Sequence, residues 1–230
     1  MVKAVLFSLS FLWCLSANAQ PLPSLNNSDN TFVAGIIFGG NISKVSGTNY
    51  NGYHKLGFNT GLSVYGHIKN KWWASIEILY SQKGMIGVRE ENSDVVGPYF
   101  EKYYMRLNYA ELPVMLHFFQ EKWYHFSVGA SYSMLLNSSE DLVSYQPTNL
   151  YTNIATFNQR EFDFLAGGGL HVNKNLYLNI RYQKSLTPIR AAFRVPPAVG
   201  AGNQYSTLFA IQLVYMLRNH NLSDDPAADY

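Results

Sequence analysis

Two strands and the tight turn between them are encoded in residues 56–83, LGFNTGLSVYGHIKNKWWASIEILYSQK. On each side of the short segment 69–71, apolar residues alternate with glycine, serine, asparagine or single charges. This period of two residues is typical of β-strands whose two faces meet different surroundings. The turn is followed directly by Trp72 and Trp73, and such aromatic residues favour the interface between a membrane and water. The stretch therefore predicts a β-hairpin with one apolar face.

The same unit recurs along the chain and predicts eight antiparallel strands. Tight turns at 67–73, 119–124 and 172–177 alternate with long connections at roughly 43–55, 85–101, 137–159 and 187–204. A meander with its tight turns at one end and its long loops at the other is the layout of an outer-membrane barrel. We predict an all-β, eight-stranded antiparallel up-and-down transmembrane β-barrel, with strands near 31–42, 56–68, 72–83, 102–119, 123–136, 161–172, 176–185 and 205–217.

The beginning of the chain has the pattern of a secretory signal. Lys3 precedes an apolar run that is too short to span a bilayer as a helix, and Ala17-Asn18-Ala19 forms a cleavage motif of small residues. We therefore expect residues 1–19 to be a signal peptide that is removed on export. The same reasoning divides the remainder into a short periplasmic leader, the barrel and a polar C-terminal tail, at 20–30, 31–217 and 218–230.

The composition is that of an exported β-protein. Charged residues make up 14% of the chain and aromatic residues 15%. Ordinary soluble domains carry more charge, about 25%. The only cysteine, Cys14, lies in the predicted signal peptide, so no disulfide is expected. A net charge of +2 gives no indication of a nucleic-acid partner.

The orientation of the apolar face separates two classes of β-barrel. One face of the predicted strands is continuous and bulky, and the other carries glycine, serine, asparagine and single charges. Small and polar residues suit the narrow interior of an eight-stranded barrel, and a bulky apolar band suits lipid. We expect the apolar face to point outward, in the outer membrane of a bacterium. Patterning alone leaves open the alternative of a soluble secreted β-barrel that binds a small apolar ligand.

Several blocks of the chain also resemble a known family, the PorT-like outer-membrane β-barrel family of the Bacteroidetes. The blocks cover nearly the whole predicted mature chain and are GIIFGGNIS (35–43), EILYSQKG (77–84), YAELPVML (109–116), FDFLAGGGL (162–170) and NIRY (179–182). The resemblance implies an eight-stranded barrel in the outer membrane. It implies little about activity, because most members have no assigned role and the namesake takes part in protein secretion.

The interior face carries charges that are candidates for a functional site. Glu77, Glu111 and Asp163 are predicted to face Arg181 and Lys83 within one lumen. One interpretation is a path for protons or ions. The other is a paired network that fills a lumen too narrow to conduct, since buried charges require partners. We favour the filled, non-conducting lumen.

Enzymatic and metal sites have weak support in the sequence. The nucleophile elbow Gly-x-Ser-x-Gly is absent, and no helix is predicted that could carry one. Four histidines lie near the tight turns without the close spacing of metal ligands, so a metal site would need convergence across strands. We predict no catalytic, metal-binding or cofactor-binding residues.

The long loops remain the most suitable place for binding, because loops on a rigid scaffold often carry it. Tyr145, Tyr151 and Phe157 lie among polar residues suited to glycan or protein contact. Arg190 and Arg194 could contact phosphates. The alternative for both loops is a solvated connection without a ligand. We expect a monomer in outer-membrane lipid, with lipopolysaccharide or an envelope protein as the partner. The expected role is structural, adhesive or part of envelope assembly or secretion.

Overall fold

The chain forms one closed ring of eight antiparallel strands. The computed structural model describes residues 32–50, 55–93, 97–121, 123–143, 157–173, 175–195 and 199–217. Each strand pairs with the next, and β8 pairs with β1, so the predicted fold class is confirmed. The predicted signal peptide, leader and tail lie outside the described residues. The strands are β1 (Phe32–Ser46), β2 (Lys55–Lys69), β3 (Trp72–Ser93), β4 (Gly97–Glu121), β5 (Tyr124–Val143), β6 (Arg160–Asn173), β7 (Leu176–Ser185) and β8 (Tyr205–Leu217).

Strands β3, β4 and β5 are longer than predicted. Pairing between β3 and β4 continues without a register shift from Met85↔Met105 to Ser93↔Gly97, so most of the predicted loop at 85–101 is strand. The prediction stopped early because the alternation of apolar and polar residues fades there. The alternation arises because outward residues face lipid and inward residues do not. Where the strands extend beyond the bilayer, an outward residue need not be apolar, so the alternation is not expected there.

The tight turns form as predicted at one end of the barrel, which we call the turn end. Between β2 and β3 only Asn70 and Lys71 lie outside the strands. Asn70 has a φ of 51°. This is a left-handed conformation, which asparagine tolerates better than most residues. The opposite end, where the long connections lie, is the loop end.

The strands are strongly tilted relative to the barrel axis. Tyr124 on β5 pairs with Glu121 on β4 across their shared turn. Tyr124 also begins a row of paired residues that runs the other way around the ring, from β5 through β6 to β4. This row reaches β4 at Ala110, which is eleven residues from Glu121. This displacement is the shear that links tilt and strand number in a closed barrel. The row of paired residues is Tyr124, Leu170, Leu178, Leu213, Phe38, Thr60, Tyr80 and Ala110.

The apolar side chains face outward, as predicted. Leu62, Ile78 and Ile180 are among many large apolar residues that are more than half exposed on the outer face. Aromatic pairs border this band, with Trp72–Phe118 and Trp123–Tyr124 at the turn end and Phe58–Tyr80, Tyr132–Phe162 and Tyr182–Phe209 at the loop end. Two aromatic girdles around an apolar band are what a lipid environment requires. The soluble alternative is not supported, because it would place this band inside.

No helix within the described ranges is long and apolar enough to cross a membrane.

Candidate functional site

Three layers of buried side chains lie in the lumen. A turn-side layer of apolar residues closes one half, a polar layer lies across the middle, and a loop-side apolar layer closes the mouth. The turn-side layer consists of Val33, Ile37, Tyr65, Trp73, Leu79, Phe119, Tyr177, Val214 and Met216. The loop-side layer consists of Val45, Tyr50, Met85, Tyr103, Met105, Leu107, Tyr109, Phe157, Ile189, Val195 and Val199. An interior of this size has room for side chains and little else.

The first ion pair of the polar layer joins opposite walls of the barrel. Arg181 on β7 donates two hydrogen bonds to Glu77 on β3, at 2.8 and 2.7 Å. Both side chains are buried. A bidentate pair of this kind fixes the geometry of both partners more tightly than a single contact does. The pair therefore acts as a crossbar through the lumen.

The second charged group is centred on Lys83. Its Nζ lies 2.7 Å from Glu111, 3.2 Å from Asp163 and 3.6 Å from Glu161. The ammonium group also lies 4.8 Å from the centre of the Tyr109 ring, which belongs to the loop-side layer. One fully buried cation thus holds three carboxylates from two strands that are not neighbours. The structure places all five predicted lumen residues in these two groups.

Sequence reasoning missed the polar residues that complete the network. Gln183 donates to Asp163 at 2.7 Å and to Glu111 at 3.2 Å, and Ser133 donates to Asp163 at 2.7 Å. Ser206 donates to Glu161. The signal that could have found them is spacing, because Glu161 and Gln183 lie two residues from Asp163 and Arg181 and so share the inward face.

Arg190 fastens the long connection between β7 and β8 over the mouth. Its guanidinium lies 2.6 Å from Glu140 on β5 and 3.8 Å from the centre of the Phe157 ring. Tyr103 on β4 donates a hydrogen bond to the same Glu140. Tyr103 lies beyond the loop-end girdle, where burial raises the pKa of its phenol well above the usual range and the Glu140 carboxylate adds to the effect. These contacts seal the loop end from above.

The predicted loop contacts are therefore placed differently from expectation. Phe157 and Arg190 are buried, with 8% and 0% of their surface exposed, and they are not available to a surface ligand. The reason is that the connection folds back and pairs Arg190 with Gln204 inside the mouth. Arg194 is exposed, at the end of a short 3₁₀ helix at Ala192–Arg194. Tyr145 and Tyr151 lie outside the described residues.

The histidines near the turn end are packed as aromatic side chains. The rings of His117 and His125 lie 5.2 Å apart, and Ser75 lies 2.8 Å from His117. In the described part of the chain, no three His, Asp or Glu residues are grouped so that they could hold a metal ion. The arrangement resembles an aromatic cluster that closes the turn end more than it resembles a ligand set.

The chain belongs to the family of the outer membrane protein beta-barrel domain. The model of this family matches residues 18–190, well over half of the chain. This membership agrees with the closed ring and its two aromatic girdles, and it makes the chain an outer-membrane β-barrel protein of bacteria. No curated protein sequence matches the chain.

Several solved outer-membrane proteins are similar to the chain at low identity. The attachment invasion locus protein Ail of Yersinia pestis is 13% identical, covers 80% of this chain and 98% of its own, and has a TM-score of 0.44. Neisserial surface protein A is 13% identical, with 81% and 97% covered and a TM-score of 0.43. OprG of Pseudomonas aeruginosa is 11% identical, with 84% and 99% covered and a TM-score of 0.42.

Proposed function

We propose that this outer-membrane barrel is a non-conducting scaffold, without enzymatic activity, that holds a rigid hairpin and closed loops above the membrane. The observation that carries the proposal is the filled lumen. Apolar layers occupy both halves, and the two charged groups bridge the space between them. An ion would have to displace packed aromatic rings at both ends and break buried ion pairs in the middle.

Support for a scaffold role comes from the long β3–β4 hairpin. The hairpin extends beyond Tyr80, at the loop-end girdle, by thirteen residues of β3, and its inward side chains Met85 and Met105 are fully buried in the loop-side layer. The packing makes the hairpin a continuation of the barrel wall. Residues held on such a wall are well placed for contact with another component, because little conformational entropy is lost on binding.

Within this role we propose an adhesive, structural or assembly task, with a protein of the cell envelope as the partner. The orientation we propose has the tight turns in the periplasm and the long loops outside, as is usual for such barrels.

The proposal is tested by conductance across planar lipid bilayers. The refolded barrel is expected to insert, which heat-modifiable migration on gels verifies beforehand, and to give no stable current steps. A large general porin in the same bilayers serves as the positive control. Reproducible current steps from the folded barrel would overturn the non-conducting assignment.

A matched pair of variants extends the test to the layers themselves. Arg181→Ala removes the crossbar but leaves both apolar layers in place, so we expect it to remain closed. Arg106→Ala, at an exposed position on the outer face of β4, is the control. If Arg181→Ala alone conducted, the ion pair and not the apolar layers would be the seal, and the three-layer account would be wrong.

A further inference from the structure

On the outer face, β6, β7, β8 and β1 carry a basic cluster at the loop end, and an apolar groove on β5, β6 and β7 lies directly below it. We propose that this face binds a lipid with a phosphorylated headgroup and acyl chains, the chemistry of the lipid A part of lipopolysaccharide. The assignment to the outer leaflet rests on the proposed orientation, in which the long loops lie outside the cell. The lipid site does not depend on whether the barrel conducts ions.

The basic cluster begins with two lysines that flank one threonine. Thr207 on β8 pairs with Lys184 on β7 and with Lys44 on β1, so the two lysines lie on the same outward row. Neighbouring strands are about 4.8 Å apart, which places the two lysine Cα atoms about 10 Å from each other. Lys184 is exposed at this position, and Lys44 is partly exposed.

Arg160 and Arg194 extend the cluster toward the loop end. Arg160 is exposed on the outer face of β6, four residues beyond Phe164, the partner of Lys184. Arg194 is exposed beside Phe193, which is itself 83% exposed. Leu186, on the outer face just after β7, is 65% exposed. Cations mixed with exposed apolar residues are expected where lipid headgroups meet acyl chains.

Charges on the barrel exterior are unevenly distributed. In the described parts of β1, β6, β7 and β8, the outward face carries no acidic residue, since Glu161 and Asp163 point into the lumen. Acidic residues of the loop end, among them Glu90, Glu101 and Glu140, lie on β3, β4 and β5. The proposed face is therefore locally positive although the whole chain has a charge of only +2.

The groove lies on the lipid-facing side of β5, β6 and β7 and has a volume of about 590 Å³. Ala166 and Gly168 form its floor because neither has a side chain long enough to fill the band. Phe126 stands on one side, and Tyr182 and Phe209 stand on the loop-end side. Its volume is within the range of about 300–1,000 Å³ found for sites that hold small apolar ligands.

Strand register aligns the groove with the cluster. Tyr182 is two residues before Lys184, and Phe209 is two residues after Thr207, so the groove ends directly beneath Lys184 and Thr207. A headgroup phosphate held by the cations would place an acyl chain at the entrance of the groove. Charge-assisted hydrogen bonds to phosphate and burial of the chain would then act on the same lipid.

The experiment uses the full barrel in detergent, titrated with bisphosphorylated, acylated lipid A and analysed by native mass spectrometry. We expect the double variant R160Q/K184Q to bind lipid A about tenfold or more weakly. K102Q/R106Q is the matched control, because it removes two exposed cations from the outer face of β4. It should bind within about twofold of the parent barrel. Heat-modifiable migration verifies folding, and the single variants R160Q and K184Q replace the double variant if it fails to fold.

The groove is tested separately with A166F, which fills its floor, and with A74F on the outer face of β3 as the control. A166F should weaken the binding of acylated lipid A several-fold. A74F should bind lipid A more tightly than A166F does. Equal losses in R160Q/K184Q and K102Q/R106Q would overturn the site, as would equal binding by A166F and A74F. Phosphatidylglycerol that competes as well as lipid A would overturn the assignment to lipopolysaccharide.

Discussion

Arg181 and Glu77 are 104 residues apart in the chain and form a bidentate ion pair across the lumen. Breaking a buried pair by removing one partner leaves an uncompensated charge, which costs about 3–5 kcal/mol. We expect Arg181→Met to lower the free energy of unfolding by that amount, measured by urea unfolding in lipid vesicles with tryptophan fluorescence. The double variant with Glu77→Leu should recover most of the loss, because two apolar side chains can replace a buried pair. An unchanged unfolding midpoint in Arg181→Met would contradict the crossbar.

Lys83 is expected to be the most costly single cation to remove. Its loss leaves Glu111, Glu161 and Asp163 without their common partner, so Lys83→Met should cost at least as much as Arg181→Met. The control is Lys102→Met, an exposed position on the outer face of β4. Surface substitutions of this kind usually change the unfolding free energy by less than about 0.5 kcal/mol. Similar losses in both variants would indicate a general effect of charge on refolding.

Two arginines of one loop provide a test of the closed mouth. Arg190→Gln removes the contacts with Glu140 and Phe157, so proteinase K, which cleaves after many residue types, should cut the connection at 187–204 faster. Arg194→Gln, at an exposed position of the same loop, should leave the rate unchanged. The urea midpoint of the barrel should be nearly the same in both variants, because the strands keep their pairing. Equal cleavage rates would mean that Arg190 does not fasten the loop.

Gly84 is required by the backbone of β3. It has a φ of +136°, and a Cβ there would lie 2.0 Å from the Met105 carbonyl oxygen. Gly84→Ala is expected to lower stability by about 1–3 kcal/mol, the usual cost of a strained backbone conformation. Gly40→Ala is the control, since the nearest atom to its added Cβ is 3.9 Å away. A cost for Gly40→Ala as large as that for Gly84→Ala would refute the explanation.

The buried phenol of Tyr103 predicts a dependence on alkaline pH. A free tyrosine ionises near pH 10, and the pKa of Tyr103 is raised well above that value in the folded barrel. As the pH rises, the Tyr103 phenol therefore ionises first in the unfolded state. The stability that the buried, protonated phenol contributes is present below about pH 10 and is lost as the pH rises further. Protection of the mouth against proteolysis should fall between pH 9 and pH 11, and less so in Tyr103→Phe. Identical pH profiles would contradict this assignment.

Alternation of residue types predicts the eight strands and, within the apolar band, the face that each side chain occupies. The pattern predicts Glu77 and Arg181 inside because each lies between apolar neighbours that point outward. Glu161 and Gln183 had the same spacing from known inward residues, and could have been predicted by the same rule. In the sequence, the outward cations Arg160 and Lys184 are only charges near strand ends. No local pattern indicates that they lie on the same part of the outer face.

The sequence by itself determined strand number, turn positions and the inward or outward side of each residue within the apolar band, because a period of two depends only on neighbours along the chain. Which inward residues meet depends on the tilt and shear of the closed ring, which no local pattern contains. The three carboxylates around Lys83 and the crossbar from Arg181 to Glu77 are products of that closure. The burial of Arg190 likewise depends on the fold. Only a loop that returns to the mouth can take Arg190 out of solvent and bring it into contact with Glu140 and Phe157.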